Sequence, residues 1–301
     1  MPSPLKPSKA RPLKLPAGLT LEQGFGLIAR NCLRQIRANE AGLRLSDEPE
    51  FVHQLRVGLR RLRSALSLFK PWITLPPELA EEIAWLGLAL GAARDAEVLA
   101  GTTLPAVMLD GADLEDLSGL QKAANSLAQR RRRKAALALK AERCLAWMAG
   151  LESWLMTRGW RADSPRPTEL DLPLEAAAKQ MLKRRSKKLS KQARALPDQA
   201  SPDDRHRLRI AVKKLRYARE FFRSLEGAAT APGRTNQITA LQDLLGQLND
   251  ANVGRGLLLD LGQAQPRLAG PAGFARGLLQ ARSTQNIAAL TAILTRLKAL
   301  D

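Results

Sequence analysis

Two segments of the sequence place a histidine at the head of a row of cations within an apolar helical pattern. They are VHQLRVGLRRLRSALSLF at 52–69 and RHRLRIAVKKLRYAREFF at 205–222, and they hold the only two histidines of the chain. At about 100° of rotation per residue, cations three and four positions apart fall on one side of a helix, beside an apolar stripe. The two rows are formed by His53, Arg56, Arg60 and Arg63 and by His206, Arg209, Lys213 and Arg216.

The residue types in these rows are suited to binding an extended anion. Like charges at this spacing repel each other, so a half-buried row loses stability unless an anion lies against it. Arginine offers phosphate a planar set of donors, lysine a point charge, and histidine a charge that changes near neutral pH. A single arginine-rich helix is usually only a solvated face, but the recurrence of the pattern favours an anion site. Arg61 and Lys214 lie off the two arcs and are expected to flank them.

The elements that must position these rows are helices. Apolar residues recur every three or four positions along nearly the whole chain, which predicts an all-α fold. Proline and glycine punctuate the joins between the helical stretches. The predicted helices are 18–44, 49–70, 77–100, 113–158, 173–195, 202–225, 234–261 and 270–299.

The two halves of the chain resemble each other, which predicts an internal duplication. The histidines are 153 positions apart, and LGAARDAEV at 90–98 resembles LGQLNDANV at 245–253. We therefore expect two four-helix repeats that together form one site. They are predicted at 18–160 and 173–300, joined by a proline-rich linker at 161–172 and preceded by a flexible basic arm at 1–17.

The paired LG segments place further residues at equivalent positions. Gly91 and Gly246 lie inside predicted helices and indicate close helix packing. Asp95 and Asp250 are expected to orient a neighbouring arginine, as secondary partners of the site, rather than to act as bases or metal ligands.

Other cations could extend the site. KQMLKRRSKKLSKQAR at 179–194 has eight basic residues and no acidic one, and the first helix carries arginines at matching spacing. The alternative is that both are solvated basic faces. The additional candidates are Arg30, Arg34, Arg37, Lys183, Arg184, Lys187 and Lys191, with Tyr217 as a residue that packs or donates a hydrogen bond.

Composition limits the classes of partner and chemistry. The formal net charge is +19 and the pI is near 10.8, which favours polyanionic partners. The two cysteines indicate neither a disulfide framework nor a zinc site, and no apolar run is long enough to cross a membrane. No phosphate-cradling glycine loop, paired metal carboxylates or nucleophile–base pair is evident. We therefore expect a cytoplasmic binding module, with no catalytic residues, no metal and no cofactor.

The doubled motif resembles that of the CHAD domain, the conserved histidine α-helical domain, over roughly residues 18–300. The matching positions are His53, Arg56, Arg60, Arg61 and Arg63 in the first half and His206, Arg209, Lys213, Lys214, Arg216 and Tyr217 in the second. The resemblance implies two four-helix bundles related by pseudo-twofold symmetry, with a shared central basic groove or pore. It also implies binding of inorganic polyphosphate, often at intracellular polyphosphate granules and their proteins.

Many relatives carry a triphosphate-tunnel domain with a Glu-x-Glu-x-Lys motif. This sequence lacks that motif, because EPEFV at 48–52 ends in valine instead of lysine. The resemblance therefore implies a stand-alone polyphosphate-binding module, without a linked phosphatase or cyclase.

Two other functions fit the charge of the chain. One is nonspecific binding of DNA or RNA, although an aromatic content of 4% argues against stacking on single strands. On the polyphosphate hypothesis, nucleic acid is only a weak competitor. The other is an adaptor whose basic patch recruits an acidic protein.

Overall fold

The computed structural model describes residues 5–110, 117–197, 200–225 and 232–299. Within these ranges the fold is all-helical, as the periodicity predicted, and pairing of extended backbone is limited to one bridge between Thr20 and Pro173. None of the helices in these ranges is both long and apolar enough to cross a membrane. The α-helices are α1 (Leu21–Leu45), α2 (Pro49–Phe69), α3 (Pro77–Val98), α4 (Leu104–Asp110), α5 (Leu117–Lys140), α6 (Glu142–Met156), α7 (Leu174–Arg194), α8 (Pro202–Phe222), α9 (Pro232–Ala264) and α10 (Ala269–Ala299).

Most helix bounds agree with the predicted ones to within a few residues, and the main difference lies in the fourth helix. The predicted helix at 113–158 is two helices, α5 and α6, separated at Ala141, whose backbone is extended (φ −63°, ψ 138°). Residues 113–116 of that prediction lie outside the described ranges. Between α3 and α4, Leu99–Thr103 forms a π-helical turn.

The chain forms two compact units, each assembled from separate segments. Unit 1 comprises 1–94, 132–185 and 214–229, and unit 2 comprises 95–131, 186–213 and 230–301. The predicted linker at 161–172 lies inside unit 1. The two sequential four-helix repeats were predicted from an internal duplication of the sequence, and they stay a prediction.

An aromatic cluster lies in the core of unit 1. Phe25 of α1 contacts the rings of Phe69, Trp154 and Trp160, with centroids 5.3, 6.0 and 5.0 Å away. Edge-to-face arrangements of this kind add stability beyond the apolar area that they bury. The chain's two cysteines, Cys32 and Cys144, are also buried in this core.

The first helix of unit 1 is fixed at its start by a capping box. The backbone N–H of Gln23 donates to Thr20 Oγ1, and the N–H of Thr20 donates to Gln23 Oε1, at 3.2 and 3.0 Å. The bridge beside it ties the start of α1 to that of α7: Leu21 N–H donates to Leu172 O, and Leu174 N–H donates to Leu19 O.

Part of the N-terminal segment, for which composition predicts a flexible arm, is hydrogen-bonded to unit 1, and residues 1–4 lie outside the described ranges. Asn39 of α1 exchanges two hydrogen bonds with the backbone of Ser8, at 2.9 and 2.8 Å. Asn31 donates to the carbonyl of Arg11, and the N–H of Leu15 donates to Ser224 Oγ. Leu15 is buried in the core of unit 1. Residues 8–15 are therefore fixed along α1, because side chains of unit 1 satisfy their backbone groups.

Unit 2 has its own core, formed by leucines and alanines of α4, α5, α9 and α10 and of the π-helical turn. Gly254 of α9 permits a close approach: a β-carbon there would lie 3.4 Å from Thr103 Cγ2 and 3.5 Å from Leu279 Cδ1. Arg282 of α10 donates to the carbonyl of Ala106, at 2.8 Å. These contacts fix α9 against the turn that follows α3 and α10 against α4.

Candidate anion-binding site

The first row of cations lies along α2 in unit 1, as the periodicity predicted. Leu55, Leu59 and Leu62 form the buried stripe of this helix. On the adjoining side, His53, Arg56 and Arg60 are half-buried and Arg63 is exposed. Proline at the first helical position and the Glu48 side chain, which accepts from Glu50 N–H, fix the start of α2 just before the histidine.

Two glycines of α3 make room for the arginines of this row. A β-carbon at Gly91 would overlap the Arg56 guanidinium, and one at Gly87 would lie 3.7 Å from Arg63 Nη1. The prediction of close packing at Gly91 is confirmed, and the group that packs there is an arginine of the row. Gly246 differs, because no described atom lies within 4 Å of a β-carbon built there.

A fourth cation that sequence reasoning missed, Arg94 of α3, faces the histidine. Burial lowers the pKa of His53 below its ordinary value, and the positive charge of Arg94 lowers it further. Arg60 and Arg56 act in the same direction, while Glu50 opposes them. His53 therefore lies in a positive environment that favours its neutral form.

Arg94 stands in the LGAARD segment that signalled the duplication. The second half has Asn249 at the equivalent place. Because the residue type differs between the two halves, the recurrence of residue types does not indicate Arg94 as a member of the site.

Arg60 carries an unsatisfied donor. Its Nε–H is buried and has no hydrogen-bond partner among the described residues. Leaving a donor of a charged group buried and unpaired costs roughly 1–3 kcal/mol or more. An anion that accepts from this group would remove that cost.

Buried amides hold a carboxylate close to His53, that of Glu50, in position. Glu50 Oε1 accepts from Gln54 Nε2 at 2.6 Å, and Gln54 Oε1 accepts from Gln35 Nε2 at 2.9 Å. Gln35 and Gln54 are buried. This chain of amides fixes the position of the carboxylate relative to His53.

The sequence predicted that Arg61 flanks the row. Instead, Arg61 lies in the interior of unit 1, with its side chain 1% exposed. Its Nε donates to Glu220 Oε1 at 2.8 Å, its Nη1 to Gln35 Oε1 at 3.0 Å, and its Nη2 to Asn31 Oδ1 at 2.8 Å. Its guanidinium also lies 5.5 Å from the centroid of Phe221. With these donors engaged internally, Arg61 is placed to stabilise the fold rather than to contact a ligand.

The second row lies on α8, and its first three members belong to unit 2. His206 is exposed, and Arg209 and Lys213 are half-buried. Ser201 caps the helix: Ser201 Oγ accepts from Asp204 N–H, and its hydroxyl donates to Asp204 Oδ2 at 2.7 Å. The start of α8 is therefore fixed about two turns before Arg209, the first cation after His206 in the row.

The remaining predicted residues of α8 belong to unit 1. Lys214 is half-buried and Arg216 is exposed. The Arg216 guanidinium lies 4.9 Å from the ring centroid of Tyr217, which itself stacks on Phe221. Tyr217 is buried, and its hydroxyl has no partner among the described residues. Tyr217 therefore packs in the core, which is one of the two roles predicted for it.

The additional cations differ in their surroundings. Arg30 and Arg34 are exposed on α1, whereas Arg37 is paired with Glu152 and Glu40 at 2.8 and 3.2 Å. Those pairs engage Nε and Nη1 of Arg37 within unit 1. On α7, the exposed candidates are Lys183 and Arg184 of unit 1 and Lys187 and Lys191 of unit 2.

Arg185 of α7, which the sequence did not indicate, contacts α2, the helix that carries the first row. Its Nη2 donates to the carbonyl and hydroxyl oxygens of Ser67 of α2, at 2.7 and 3.1 Å. Burial lowers the pKa of its guanidinium. Arg185 thus ties α7 to the C-terminal end of α2.

The two aspartates are half-buried on α3 and α9. Asp250 Oδ1 accepts from Asn249 Nδ2 at 3.2 Å, which is a contact between neighbours in the sequence. The proposed role of Asp95 and Asp250 in orienting arginines stays a prediction. Within the described ranges, no three His, Cys, Asp or Glu residues cluster in a way that could hold a metal ion.

Comparison with known proteins gives one consistent result. A family model described as the CHAD domain matches residues 27–259. The crystal structure of the CHAD domain from the plant Ricinus communis has a TM-score of 0.86 and 36% sequence identity, covering 96% of each chain. PptA from Streptomyces chartreusis has a TM-score of 0.67 and 15% identity, covering 92% of this chain and 99% of its own, which shows a shared fold. No match is found among curated proteins.

Proposed function

Because this chain belongs to the CHAD domain family, we propose that it binds inorganic polyphosphate through the cationic rows of α2 and α8. The family is associated with polyphosphate binding. The two rows, with their recurring residue types, are proposed to derive from an internal duplication. We propose a binding module rather than an enzyme, associated with polyphosphate granules.

The observation that carries the proposal is the half-buried cluster of His53, Arg56, Arg60 and Arg94. It brings together three arginines and a histidine whose pKa they lower. One of them, Arg60, also has a buried Nε–H without a hydrogen-bond partner among the described residues. Each of these features costs free energy in the unliganded protein and is relieved by a phosphate oxygen, which accepts hydrogen bonds and carries negative charge.

The dimensions of the row suit a chain of phosphates rather than a single ion. From His53 to Arg63 the helix rises about 15 Å, at 1.5 Å per residue. A polymer with one negative charge on each phosphate can contact several of these cations at once. Each contact releases counterions, so affinity is expected to fall steeply as the salt concentration rises.

The test is a titration of the purified chain with long-chain polyphosphate and with duplex DNA at near-physiological salt. The test variant is Arg56→Ala/Arg60→Ala/Arg209→Ala/Lys213→Ala. The matched control removes four exposed cations from α5, as Arg130→Ala/Arg133→Ala/Lys134→Ala/Lys140→Ala, and so changes the net charge by the same amount.

We expect the test variant to lose polyphosphate affinity at least a hundredfold, since four charge-assisted contacts are removed. The control variant should lose much less, and the wild type should prefer polyphosphate to DNA. Equal losses in the two variants, or equal affinity for the two polymers, would mean that the chain attracts polyanions only through its net charge.

A further inference from the structure

A cavity lies at the end of the cationic row and differs from it in chemistry. It is open to the surface, has a volume of about 410 Å³ and is bounded by the last turns of α2, the connection at 70–76 and the first turns of α3, all in unit 1. Cavities of this size are typical of sites for small molecules. It is lined by Arg63, Leu66, Ser67, Lys70, Ile73, Thr74, Leu75, Ala80 and Ile83.

The lining combines an apolar surface with two cations. Five of its nine side chains are aliphatic, and they come from both helices and the connection. Two more side chains, Ser67 and Thr74, carry hydroxyls, and no carboxylate lines the cavity. Arg63 and Lys70 lie seven residues apart, and Lys70, which directly follows α2, keeps a helical backbone, so the two stand about two turns apart on the same side of the helix. An inorganic phosphate chain would pair with the cations but would gain nothing from the aliphatic lining.

Hydrogen bonds on the outer side of the lining hold the walls of the cavity in place, so the cavity exists before a ligand binds. Trp72 is buried, and its Nε1 donates to Glu169 Oε2 at 2.6 Å. Ser164 donates to the carbonyl of Trp72 at 2.8 Å. On the other side, Arg185 holds the Ser67 carbonyl and hydroxyl. A preformed apolar cavity avoids part of the ordering cost of binding.

We propose that this cavity is a second binding site, for a small amphiphilic anion with an aliphatic body and a phosphate or carboxylate head. The body lies against Leu66, Ile73 and Ile83, and the head pairs with Lys70 and Arg63. The site shares Arg63 with the row on α2 but contains none of His53, Arg56 and Arg60, and it requires no phosphate polymer.

The experiment is calorimetric titration with octyl phosphate below its critical micelle concentration, with octanol and inorganic phosphate as partial ligands. Ala80→Trp fills the cavity from an exposed position of its lining. Lys70→Gln removes one cation, and Lys140→Gln on α5 removes an exposed cation elsewhere in unit 1. Polyphosphate titration and thermal unfolding of each variant report whether the chain still folds.

Octyl phosphate is expected to bind the wild type more tightly than octanol or inorganic phosphate does. Ala80→Trp should weaken it about tenfold or more, since losing contact with two methylene groups has that effect. Polyphosphate affinity should be unchanged in that variant. Lys70→Gln should weaken octyl phosphate severalfold while leaving octanol unaffected, and Lys140→Gln should change neither.

Three results would overturn the proposal. Octyl phosphate could bind no more tightly than inorganic phosphate, which would make the aliphatic lining irrelevant. It could bind the Ala80→Trp variant as well as the wild type, which would place the ligand elsewhere. It could also bind no more tightly than octanol, which would show that the two cations do not contribute to binding.

Discussion

At the scale of single residues, two neighbours on α2 have opposite roles. Arg60 lies on the half-buried row, and its Nε–H has no partner in the part of the chain that the structure describes, whereas Arg61 is buried and donates three hydrogen bonds within unit 1. One residue of separation turns the side chain by about 100°, and this rotation alone separates the candidate ligand contact from the structural contact.

Replacing each of these arginines by methionine should have contrasting effects. Arg61→Met leaves Glu220, Gln35 and Asn31 without their donor, so it should lower the free energy of unfolding by about 3 kcal/mol. Arg60→Met should change it by no more than about 0.5 kcal/mol. Polyphosphate affinity should fall about tenfold in Arg60→Met, because one charge-assisted contact is lost.

Urea unfolding and polyphosphate titration of both variants make the comparison. The titrations are done well below the unfolding transition, so that the Arg61→Met protein is folded. If Arg61→Met lost affinity while keeping its stability, the binding role first predicted for Arg61 would be restored.

The carboxylate of Glu50 should raise the pKa of His53, the histidine of the first row. Among the charges that act on His53, Glu50 is the one that raises its pKa, against Arg94, Arg60 and Arg56. Glu50→Gln keeps the amide chain in place and removes the negative charge, so the pKa of His53 should fall further. NMR titration of the imidazole signals measures it, with His206 as an internal reference in the same sample. The control is Glu142→Gln on α6, and an unshifted His53 in Glu50→Gln would contradict the assignment.

At the scale of helices, the contact between α2 and α3 depends on a glycine. In Gly91→Ala the new β-carbon would overlap the Arg56 guanidinium, which lies at the flexible end of its side chain and can move. The fold should therefore tolerate the change, while displacement of Arg56 from the row should weaken polyphosphate binding severalfold.

The matched control is Gly246→Ala on α9, where no described atom would meet the β-carbon. Alanine is favoured over glycine inside a helix by up to about 1 kcal/mol, so this variant should be more stable than the wild type, with unchanged binding. Thermal unfolding and polyphosphate titration of the two variants are the measurements. Equal binding by both would mean that Arg56 does not need its present position.

Periodicity predicted the helices well, because apolar residues every three or four positions are a direct consequence of one buried face. It failed at Ala141, where the break between α5 and α6 occurs at a good helix former and without proline or glycine. It also gave no sign of the hydrogen bonds of Ser8 and Arg11, since their partners are asparagines 31 and 20 residues further along the chain.

The candidate site was predictable in its outline and less so in its members. Residue types and spacing located the row on α2, but a strict pairing of halves missed Arg94. The spacing on α2 placed Arg61 off the arc of Arg60 and beside the row, and only the packing of α1 and the end of α8 in unit 1 shows that it is internal. Tertiary contacts of this kind leave no mark in local spacing.

At the scale of the whole molecule, the lowered pKa of His53 links stability to pH. The unfolded chain takes up a proton near pH 6.5, and the folded chain does so only at lower pH. The free energy of unfolding should therefore decrease as the pH falls from about 7.5 to about 5.5. Bound polyphosphate places negative charge beside the imidazole and raises its pKa, so affinity should increase over the same range.

Thermal unfolding of the wild type and of His53→Gln, with and without polyphosphate, measures this linkage. Without polyphosphate, the variant should lose less stability than the wild type as the solution is acidified. With polyphosphate, the wild type should lose less than it does alone. Parallel pH profiles for the two proteins in both conditions would exclude His53 as the group responsible.

Because both cysteines are buried, the rate of thiol labelling measures how often unit 1 opens. Burial raises the pKa of Cys32 to about 12 and that of Cys144 to about 11, so neither thiol forms the reactive thiolate while the unit is closed. Since unit 1 contains both cysteines of the chain, the rate at which a thiol reagent labels the native protein reports opening of unit 1 alone. Slower labelling when polyphosphate is added would show, without any mutation, that the polymer holds unit 1 closed.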